Sequence, residues 1–448
     1  MKITTVGAGS LVWGPTINVD FLLNPALDGA ELMLMDVDAA TLASVQALLE
    51  RLVAERGLRK TVAATTDLTA ALRDADYVVA AISVGGDRLW RYDPIFPQIY
   101  GIFQPVGDTI GPGGLARALR HAPALLRIGR TMLAVAKPGA PLIQLSNPMN
   151  PLCAALGRLD GLPDYGVCHG VQDTEQTFAA QLGLPREAVR VEAAGNNHHI
   201  YCTRVTVGNE VYDQERFAAL MPRVADGPFR QAVWERYGGL VGNHPRHPIE
   251  FLPGFLTPES GFGRDWGVPS IALEIDPIRG ERHDRPRRLF EAASSQRPPL
   301  AHRPDGAGGG LSLDDQGHVA IGRSREGIDR LIAALAHGEE HALHLNLPND
   351  GAIAGIDPAS NVELPVTLRR GAPIRTPVRF NDAITRQIDR VGKEQNLLAA
   401  ACVNPDEELL IESLSLDALV PSREIAARLV REMLDFQREY LPAGLRAA

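Results

Sequence analysis

The chain has 448 residues, of which 45% are hydrophobic and 22% charged, with a net charge of −9 and a pI near 5.8. This composition is typical of a globular protein and excludes a disordered chain, and the acidic balance argues against a nucleic-acid partner. No apolar run approaches the roughly 20 residues that a membrane-spanning helix needs, so no membrane partner is expected. At roughly 150 residues per domain, the length predicts two or three domains.

The cysteines and the N-terminus indicate a cellular compartment. The segment from Met1 to Gly7 lacks the basic and apolar regions of a signal peptide. In a chain without an export signal, four cysteines are typical of reduced thiols rather than of a disulfide framework. We therefore expect a cytoplasmic protein.

The first 150 residues alternate strand and helix patterns. Short apolar runs predict strands at residues 3–6, 31–36, 61–64, 76–82 and 141–146. A helical pattern begins at Asp38 and ends at Gly57. Strands that alternate with helices predict an α/β fold with a Rossmann-type, doubly wound parallel sheet. Further on, a loop outside the core is predicted at 294–310 and a C-terminal helix at 422–440.

A dinucleotide site is predicted where the first two strands end. The turn Gly7-Ala8-Gly9-Ser10 lets the backbone approach a pyrophosphate at a helix N-terminus. Asp36 ends the second strand, where an acid binds the ribose 2′-hydroxyl and favours NAD over NADP. Val12 stands at the usual third glycine position, and the next glycine is Gly14. A tight strand–helix turn without a ligand is the alternative. The expected NAD contacts are Gly7, Gly9, Ser10, Asp36 and Ser83.

Two further motifs have both a functional and a structural interpretation. The glycine-rich segment 107–114, which leads into a helix with Arg117 and Arg120, either presents amide donors to an anion or sugar or forms an ordinary helix cap. Asn147, in Ser146-Asn147-Pro148, either binds a substrate hydroxyl or the nicotinamide side at a strand end, or belongs to a plain turn.

Cysteine and histidine motifs favour a transition-metal site. Cys168-His169-Gly170 precedes Gly195-Asn196-Asn197-His198 by about thirty residues, and both side-chain types are ligands for such metals. No CxxC-like spacing supports a zinc finger. The alternatives are a small buried cysteine and a hydrogen-bonded core histidine.

Taken in order along the chain, these motifs resemble one family. It is glycoside hydrolase family 4, the NAD- and metal-dependent glycosidases, and the resemblance covers nearly the whole length. Besides the motifs at residues 7–10, 146–148, 168–170 and 195–198, the matching segments are 108–114, 247–253, 346–353 and 362–366.

The resemblance implies roles for individual residues. Cys168 and His198 occupy the family's metal-ligand positions, which usually hold manganese. Asn147 matches a substrate contact, and we assign Asp108 and Arg117 to substrate as well. Histidine at position 169 resembles the enzymes that act on non-phosphorylated α-glycosides, which are α-glucosides, α-galactosides or α-uronides.

The resemblance also implies a mechanism. NAD oxidises C3, a base removes the C2 proton, the C1 group is eliminated and water adds back. Many relatives carry the base as an aspartate near residue 244 or as a nearby tyrosine, but here His244 and Pro245 stand near that position. The candidates are Tyr237, His244 and His247, with a slight preference for Tyr237. His169 either protonates the leaving oxygen or recognises substrate.

Two alternatives have other functions. A lactate- or malate-type dehydrogenase shares the nucleotide half but lacks the metal motif and is shorter, and a non-catalytic NAD-binding regulator would bind no metal. For the glycosidase we expect the fold of the lactate/malate dehydrogenase-like superfamily, with an NAD-binding domain at 1–170 and a mixed α/β substrate domain at 171–448. Relatives of the family imply a homodimer or homotetramer. The loop at 294–310 is a candidate lid.

Overall fold

We analysed a computed structural model of the chain, which describes residues 1–225, 227–268, 288, 290–295, 300–302, 311–313, 319–441 and 443–446. The predicted lid at 294–310 lies largely outside the described residues. Among the described residues, no helix combines the length and the apolar character needed to cross a bilayer.

The N-terminal half contains the predicted parallel sheet. Its strands are β1 (Lys2–Val6), β2 (Glu31–Met35), β3 (Thr61–Thr65), β4 (Tyr77–Ala80), β5 (Leu142–Gln144) and β6 (Asp164–Gly166). They lie in the order β3-β2-β1-β4-β5-β6, and every neighbouring pair is parallel. The five predicted strands and the α/β fold are confirmed, and β6 is a strand that the apolar pattern did not predict.

Helices connect these strands. They are α1 (Trp13–Leu23), α2 (Ala39–Arg56), α3 (Leu68–Leu72), α4 (Gly86–Ile95), α5 (Gly111–Val135) and α6 (Met149–Leu156). The predicted start of α2 is confirmed, because the Asp38 side chain accepts hydrogen bonds from the backbone N–H groups of Ala40 and Thr41. Its end is confirmed too, since Gly57 follows the last turn with a left-handed φ of 59°.

The second half combines antiparallel strands with helices. The elements up to residue 268 include α7 (Gly170–Leu182), β7 (Val189–Asn196), β8 (His199–Val207), β9 (Glu210–Asp213), α8 (Phe217–Val224) and α9 (Pro228–Tyr237). A small separate sheet follows, with β10 (Ala301–His302), β11 (Leu311–Leu313) and β12 (Val319–Ile321). The remaining strands are β13 (His341–Pro348), β14 (Asn361–Arg369) and β15 (Ala372–Arg375). The remaining helices are α10 (Ile328–His337), α11 (Asp382–Val403), α12 (Glu407–Ser415), α13 (Arg423–Phe436) and α14 (Ala443–Arg446).

One sheet runs through both halves. The hairpin of β13 and β14 lies between β6 and β7, and β8 and β9 complete the far edge. Each joint is a single residue pair, Asn346 with Gly166 on one side and Glu363 with Gly195 on the other. The predicted C-terminal helix is present as α13, with Ser422 as its cap. Because α11 and α13 pack on α5, the C-terminal chain returns to the nucleotide half, and the predicted domain division at residue 170 remains a prediction.

Candidate active site

The first glycine-rich turn joins β1 to α1. Gly7 has a φ of 91°, and a Cβ atom there would lie 2.2 Å from the Ala81 carbonyl oxygen. A Cβ on Gly9 would lie 2.7 Å from the Asp36 carboxyl carbon, and the Gly9 N–H donates to Asp36 Oδ2 at 2.8 Å. Both positions therefore require glycine, and the turn packs directly on the acid that ends β2.

The missing third glycine has a physical explanation. Because α1 begins at Trp13, Gly14 lies in its first turn, and a Cβ atom there would be 2.1 Å from the Ala8 carbonyl oxygen. Gly14 thus permits the close approach of helix and strand for which the third glycine serves in dinucleotide-binding turns. Val12, at the usual position, stays outside the helix and is half-exposed.

The other predicted NAD residues lie on the same sheet edge. Asp36 Oδ1 accepts from the Asp38 N–H at 3.0 Å, and Ser10 Oγ accepts from the Trp13 N–H at 3.1 Å. Ser83 is exposed beyond β4. Since β1, β2 and β4 are parallel neighbours, all five predicted residues line their carboxyl ends.

A second cluster joins three distant segments. One ligand-type atom each from Asp108, His198 and His247 lies within 4.8 Å of the others. Within the part of the chain that the structure describes, no other group of three or more His, Cys, Asp or Glu side chains brings its ligand atoms this close together. The spacing is suitable for a divalent cation.

Hydrogen bonds fix the Asp108 carboxylate in this cluster. Thr109 Oγ1 lies 2.6 Å from Asp108 Oδ1 and 2.7 Å from His198 Nδ1, and Asn147 Nδ2 donates to Asp108 Oδ2 at 3.1 Å. Burial opposes ionisation of Asp108, but the charges of His198 and Arg117 and these hydrogen bonds outweigh it and hold its pKa below the ordinary value. Burial lowers the pKa of His198 to about 4. An ionised carboxylate and a neutral imidazole are the forms that bind metal.

Each of the three residues is positioned by its local backbone. His198 has a φ of 68° in the two-residue turn between β7 and β8, and His247 precedes a 3-10 turn at Pro248–Phe251. Asp108 follows a turn whose backbone N–H groups donate to a buried glutamate. Glu250 accepts from the N–H groups of Val106 at 2.5 Å and Gly107 at 3.0 Å, and burial raises its pKa to about 8.

The segment 107–114 is a helix cap and not an open set of amide donors. The N–H of Gly111 faces Glu394 Oε1 at 3.4 Å, and the N–H of Gly113 donates to Gln104 Oε1 at 3.0 Å. Glu250 accepts the N–H of Gly107 in the same way. Three of the backbone amides that were candidates for an anion or sugar therefore already bond side chains of the protein. For the amides of Gly107, Gly111 and Gly113, the structure therefore favours the helix-cap interpretation.

Asn147 and Arg117 lie beside the cluster. The Asn147 carbonyl accepts from Arg117 Nε at 3.3 Å and faces His121 Nδ1 at 2.7 Å, so helix α5 fixes the backbone that carries the amide. Arg117 lies over the Trp90 ring at 5.6 Å. Both predicted substrate residues thus lie next to the third, Asp108.

Cys168 does not join the three-residue cluster. Burial raises the pKa of its thiol well above the ordinary value, and the Asn197 side chain and the Gly170 N–H only partly oppose that rise. Of the predicted metal pair, the structure places His198 in the cluster but not Cys168, which packs with Met149 and Cys153.

His169 lies between two carboxylates. Its Nδ1 is 3.2 Å from Glu326 Oε2 and its Nε2 is 3.4 Å from Asp173 Oδ2. The charge of Glu326 raises the pKa of His169 to about 9 against the opposing effect of burial. The imidazole ring is 6.4 Å from the Trp13 ring, and its charge acts on both His198 and His247.

The three candidate bases have different surroundings. The His247 ring is 4.3 Å from the His198 ring, and burial together with nearby positive charges lowers its pKa. His244 is exposed and lines a small cavity of about 120 Å³ with Trp266. Tyr237 is the last residue of α9, and its backbone carbonyl accepts a hydrogen bond from Asn381 Nδ2. The positive charges of Arg236 and Arg390 act on its phenol. The geometry favours His247, against the slight sequence preference for Tyr237.

Known sequence families match both halves of the chain. One, described as "Family 4 glycosyl hydrolase", matches residues 2–184, and its companion, "Family 4 glycosyl hydrolase C-terminal domain", matches residues 193–420. The chain belongs to family 4 of the glycosyl hydrolases. The resemblance read from the motifs is confirmed, and the dehydrogenase and regulator alternatives are set aside.

Curated relatives of this family 4 chain have several activities. An α-galactosidase of Rhizobium meliloti (strain 1021) is 28% identical over 98% of this chain and 89% of its own length. An α-glucosidase of Erwinia rhapontici is 27% identical, with 98% of each chain covered.

Several solved structures share the fold of this chain. That of lplD from Bacillus subtilis has a TM-score of 0.80 at 23% identity, covering 97% of this chain and 99% of its own. The 6-phospho-β-glucosidase of Thermotoga maritima, solved with manganese, NAD+ and glucose-6-phosphate, has a TM-score of 0.76 at 21% identity, covering 98% and 99%. Malate dehydrogenase from Plasmodium falciparum has a TM-score of 0.51 at 13% identity over 90% of this chain and all of its own, so it shares the predicted fold.

Several residues of this family 4 site were absent from the sequence prediction. Glu250 lies within the quoted motif 247–253, so its place among family segments was a signal that it mattered. Thr109 lies next to predicted Asp108. Glu326 belongs to no recognisable motif and lies 157 residues from His169 in the sequence. Its contact with His169 could therefore be identified only from the folded structure.

Proposed function

We propose that this family 4 glycosyl hydrolase uses NAD and a divalent metal to cleave α-glycosides that carry no phosphate group. The observation that carries the proposal is the position of His169. Its ring adjoins Trp13, which follows the predicted NAD turn, and its charge acts on His198 and His247 of the cluster. One substrate could therefore lie against both cofactors.

The residues fit both groups. A Cβ on Gly7 or Gly9 would collide with Ala81 or Asp36, so these glycines let the turn pack closely at the strand ends where a dinucleotide is expected. For the metal we propose Cys168 and His198 as ligands, as the family resemblance implies, with Asp108 beside them. Burial lowers the pKa of His198 to about 4, so its imidazole is neutral and free to bind a metal, whereas burial raises the pKa of the Cys168 thiol, which would lose its proton on binding the metal. The structures of relatives with manganese and NAD support the same pair of cofactors.

When bound, NAD supplies a hydride acceptor for C3 of the sugar and the metal supplies a Lewis acid for its C2 and C3 oxygens. The chain's own residues then position hydroxyls and move protons. Asp108 and Asn147 form a hydrogen-bonded pair suited to sugar hydroxyls. His247 is the base that takes the proton from C2, since it is neutral and lies next to His198. His169, held between two carboxylates, gives a proton to the leaving oxygen.

The charges around His169 support a substrate without phosphate. Glu326 and Asp173 both face the imidazole, so a phosphate group there would meet two carboxylates at close range. The curated relatives named above act on α-galactosides and α-glucosides, and others are α-galacturonidases. The 6-phospho-glucosidases among the solved structures are the competing possibility.

The test is turnover of p-nitrophenyl α-glycosides in D2O, with each 6-phosphate counterpart as the matched control. Activity should vanish after chelation and desalting and return only with manganese and NAD together. The released sugar should carry deuterium at C2, because the base exchanges its proton with solvent, while C3 keeps its hydrogen. Full activity in chelator would contradict the metal requirement, and faster turnover of the phosphorylated substrates would contradict the substrate class.

His247 and Tyr237 can be compared in the same assay. The variant His247→Asn should lose C2 exchange, whereas Tyr237→Phe should retain it. The opposite pattern would return the base to Tyr237.

A further inference from the structure

The hydroxyl group of Thr109 lies between two side chains of the three-residue cluster. Thr109 is 3% exposed, and its Oγ1 lies 2.6 Å from Asp108 Oδ1 and 2.7 Å from His198 Nδ1. Both separations are those of good hydrogen bonds. Because a hydroxyl has a single hydrogen, it donates to one of these neighbours and has to accept from the other.

Asp108 determines the direction of the two hydrogen bonds. Its other oxygen, Oδ2, already accepts from Asn147 Nδ2 at 3.1 Å, and an ionised carboxylate accepts at both oxygens. The Thr109 hydrogen therefore points to Asp108, and the hydroxyl oxygen accepts from His198 Nδ1. With the hydrogens placed by these donors and acceptors, the proton of the neutral imidazole is on Nδ1 and the lone pair is on Nε2.

The backbone on both sides of Thr109 is fixed by the protein itself. Before it, the Gly107 N–H donates to the buried Glu250 carboxylate at 3.0 Å. After it, helix α5 packs so closely that a Cβ atom on Gly114 would lie 2.7 Å from the Thr109 carbonyl carbon. The hydroxyl is thus held in place from its own backbone.

Other buried threonines use their hydroxyl groups differently. Thr4 Oγ1 donates to the Ala71 carbonyl at 3.0 Å, and Thr174 Oγ1 donates to the Gly170 carbonyl at 2.8 Å. Such bonds to the backbone stabilise the fold. Thr109 instead joins a carboxylate to an imidazole, and both belong to the group of side chains that is spaced for a cation.

We propose that Thr109 is a positioning residue that sets the tautomer of His198, so that Nε2 is the nitrogen available to the metal. The inference rests on the proposed function, in which His198 binds the metal. A metal-binding histidine commonly donates its other ring N–H to an acceptor that fixes the tautomer, and loss of that acceptor changes metal affinity by about 10- to 100-fold. Here the acceptor is a hydroxyl, whose own hydrogen Asp108 directs away from the ring.

The test measures the imidazole and metal binding rather than turnover. Thr109→Val replaces the hydroxyl with a methyl group, so His198 Nδ1 loses its acceptor. NMR of the ring nitrogens, in metal-free, NAD-bound protein labelled at histidine, should show His198 protonated at Nδ1 in the unchanged protein and as a mixture of tautomers in the variant. The signal is assigned by its loss in His198→Asn. Manganese affinity, measured by electron paramagnetic resonance of the free ion, should fall about 10- to 100-fold, whereas NAD affinity should stay the same.

Three further variants provide matched comparisons. Thr109→Ser keeps the hydroxyl and should retain both the Nδ1 tautomer and the manganese affinity. Thr4→Val makes the same change at a buried threonine outside the cluster, so it should lower the melting temperature and leave manganese affinity unchanged. Thr109→Ala also removes the hydroxyl, and it takes the place of Thr109→Val if that variant does not fold.

The failure of this inference differs from the failure of the proposed function. If His198→Asn leaves manganese affinity unchanged, the ligand assignment of the proposed function is wrong, and the inference falls with it. If His198→Asn weakens manganese binding but Thr109→Val changes neither the tautomer nor the affinity, only the positioning role is overturned. Equal losses of manganese affinity in Thr109→Val and Thr4→Val would also overturn it, because they would indicate a general loss of stability.

Discussion

The turn between β1 and α1 and the turn that precedes α5 are both rich in glycine, and both lead into a helix. At the first, the carboxylate that bonds the turn is Asp36, which is half-exposed at a strand end. At the second, the bonding carboxylates are Glu250 and Glu394, and both are fully buried. The first turn is thus accessible to a ligand, whereas the protein itself fills the second.

The difference teaches what glycine does in such turns. Glycine supplies the backbone shape, because Gly7 and Gly111 both have a left-handed φ. What differs is exposure, because Gly7 and Ser10 of the first turn are partly exposed, whereas all residues of the second turn, 107–114, are buried. Each of the following predictions tests one side of this comparison.

The largest effect is expected at the filled turn. Glu250→Ala removes the acceptor of three donors, the N–H groups of Val106 and Gly107 and the amide of Gln104. The free energy of unfolding should fall by about 3 kcal/mol or more, at about 1–3 kcal/mol for each unpaired donor. Activity should be lost too, because Asp108 follows this turn. Urea unfolding measures the change, and the variant Glu187→Ala, at an exposed glutamate, is the control. A loss of stability below about 1 kcal/mol would mean that the turn is stable without Glu250.

At the accessible turn we expect a loss of binding with the fold retained. In Gly9→Ala the new Cβ meets the Asp36 carboxyl group at 2.7 Å and so displaces the acid proposed to bind the ribose. The Kd for NAD should rise about 10- to 100-fold, which corresponds to roughly 1.4–2.8 kcal/mol. The matched control is Gly29→Ala, where φ is also positive but no atom lies within 4 Å of the added Cβ. Equal NAD affinity in both variants would remove this turn from the cofactor site.

Asp36→Ala tests the acid of the accessible turn. We expect the preference for NAD over NADP to narrow by about tenfold, because the variant no longer repels a 2′-phosphate. The ratio of the two dissociation constants, measured by fluorescence titration, checks this. A preference for NADP in the unchanged protein would show that Asp36 does not face the ribose.

The smallest effect is a pH dependence of the filled turn. Because burial raises the pKa of Glu250 to about 8, the folded state holds this proton more tightly than the unfolded state does. The contribution of Glu250 to stability is therefore complete below about pH 4.5 and is lost as the pH rises to about 8. Glu250→Gln should remove this dependence, so between pH 7 and 8 it should gain about 1 kcal/mol relative to the unchanged protein. Parallel stability profiles would contradict the assignment.

The sequence was most informative where the structure is local. Strands β1 to β5, helix α2 and the turn at Gly7 all depend on neighbours within about 30 residues, so their patterns are contiguous. The function of Gly14 could not be predicted, because it depends on where α1 begins. Strand β6 has only three residues, Asp164–Gly166, and too little apolar pattern to identify it.

The candidate site was predicted by residue type better than by arrangement. Asp108, Asn147 and His198 were identified from motifs, and the structure brings them together. Their grouping with His247, and the contact of His169 with Glu326, depend on segments that meet only in the folded chain. The choice of a base among Tyr237, His244 and His247 also required the structure. All three lie within eleven residues of sequence, so their position in the chain does not distinguish them.

The insertion of the β13–β14 hairpin between β6 and β7 has a consequence for synthesis on the ribosome. Strands β6 and β7 are consecutive in the chain, but the hairpin that joins them ends about 200 residues after β6. At about 5–20 residues per second, both sheet edges wait on the order of 10 to 40 seconds for their partner strands. During that interval each edge exposes unpaired backbone groups of the kind that recruit other chains. A nascent chain that stalls before residue 341 would carry two open edges, so incomplete translation products of this enzyme are expected to depend on chaperones.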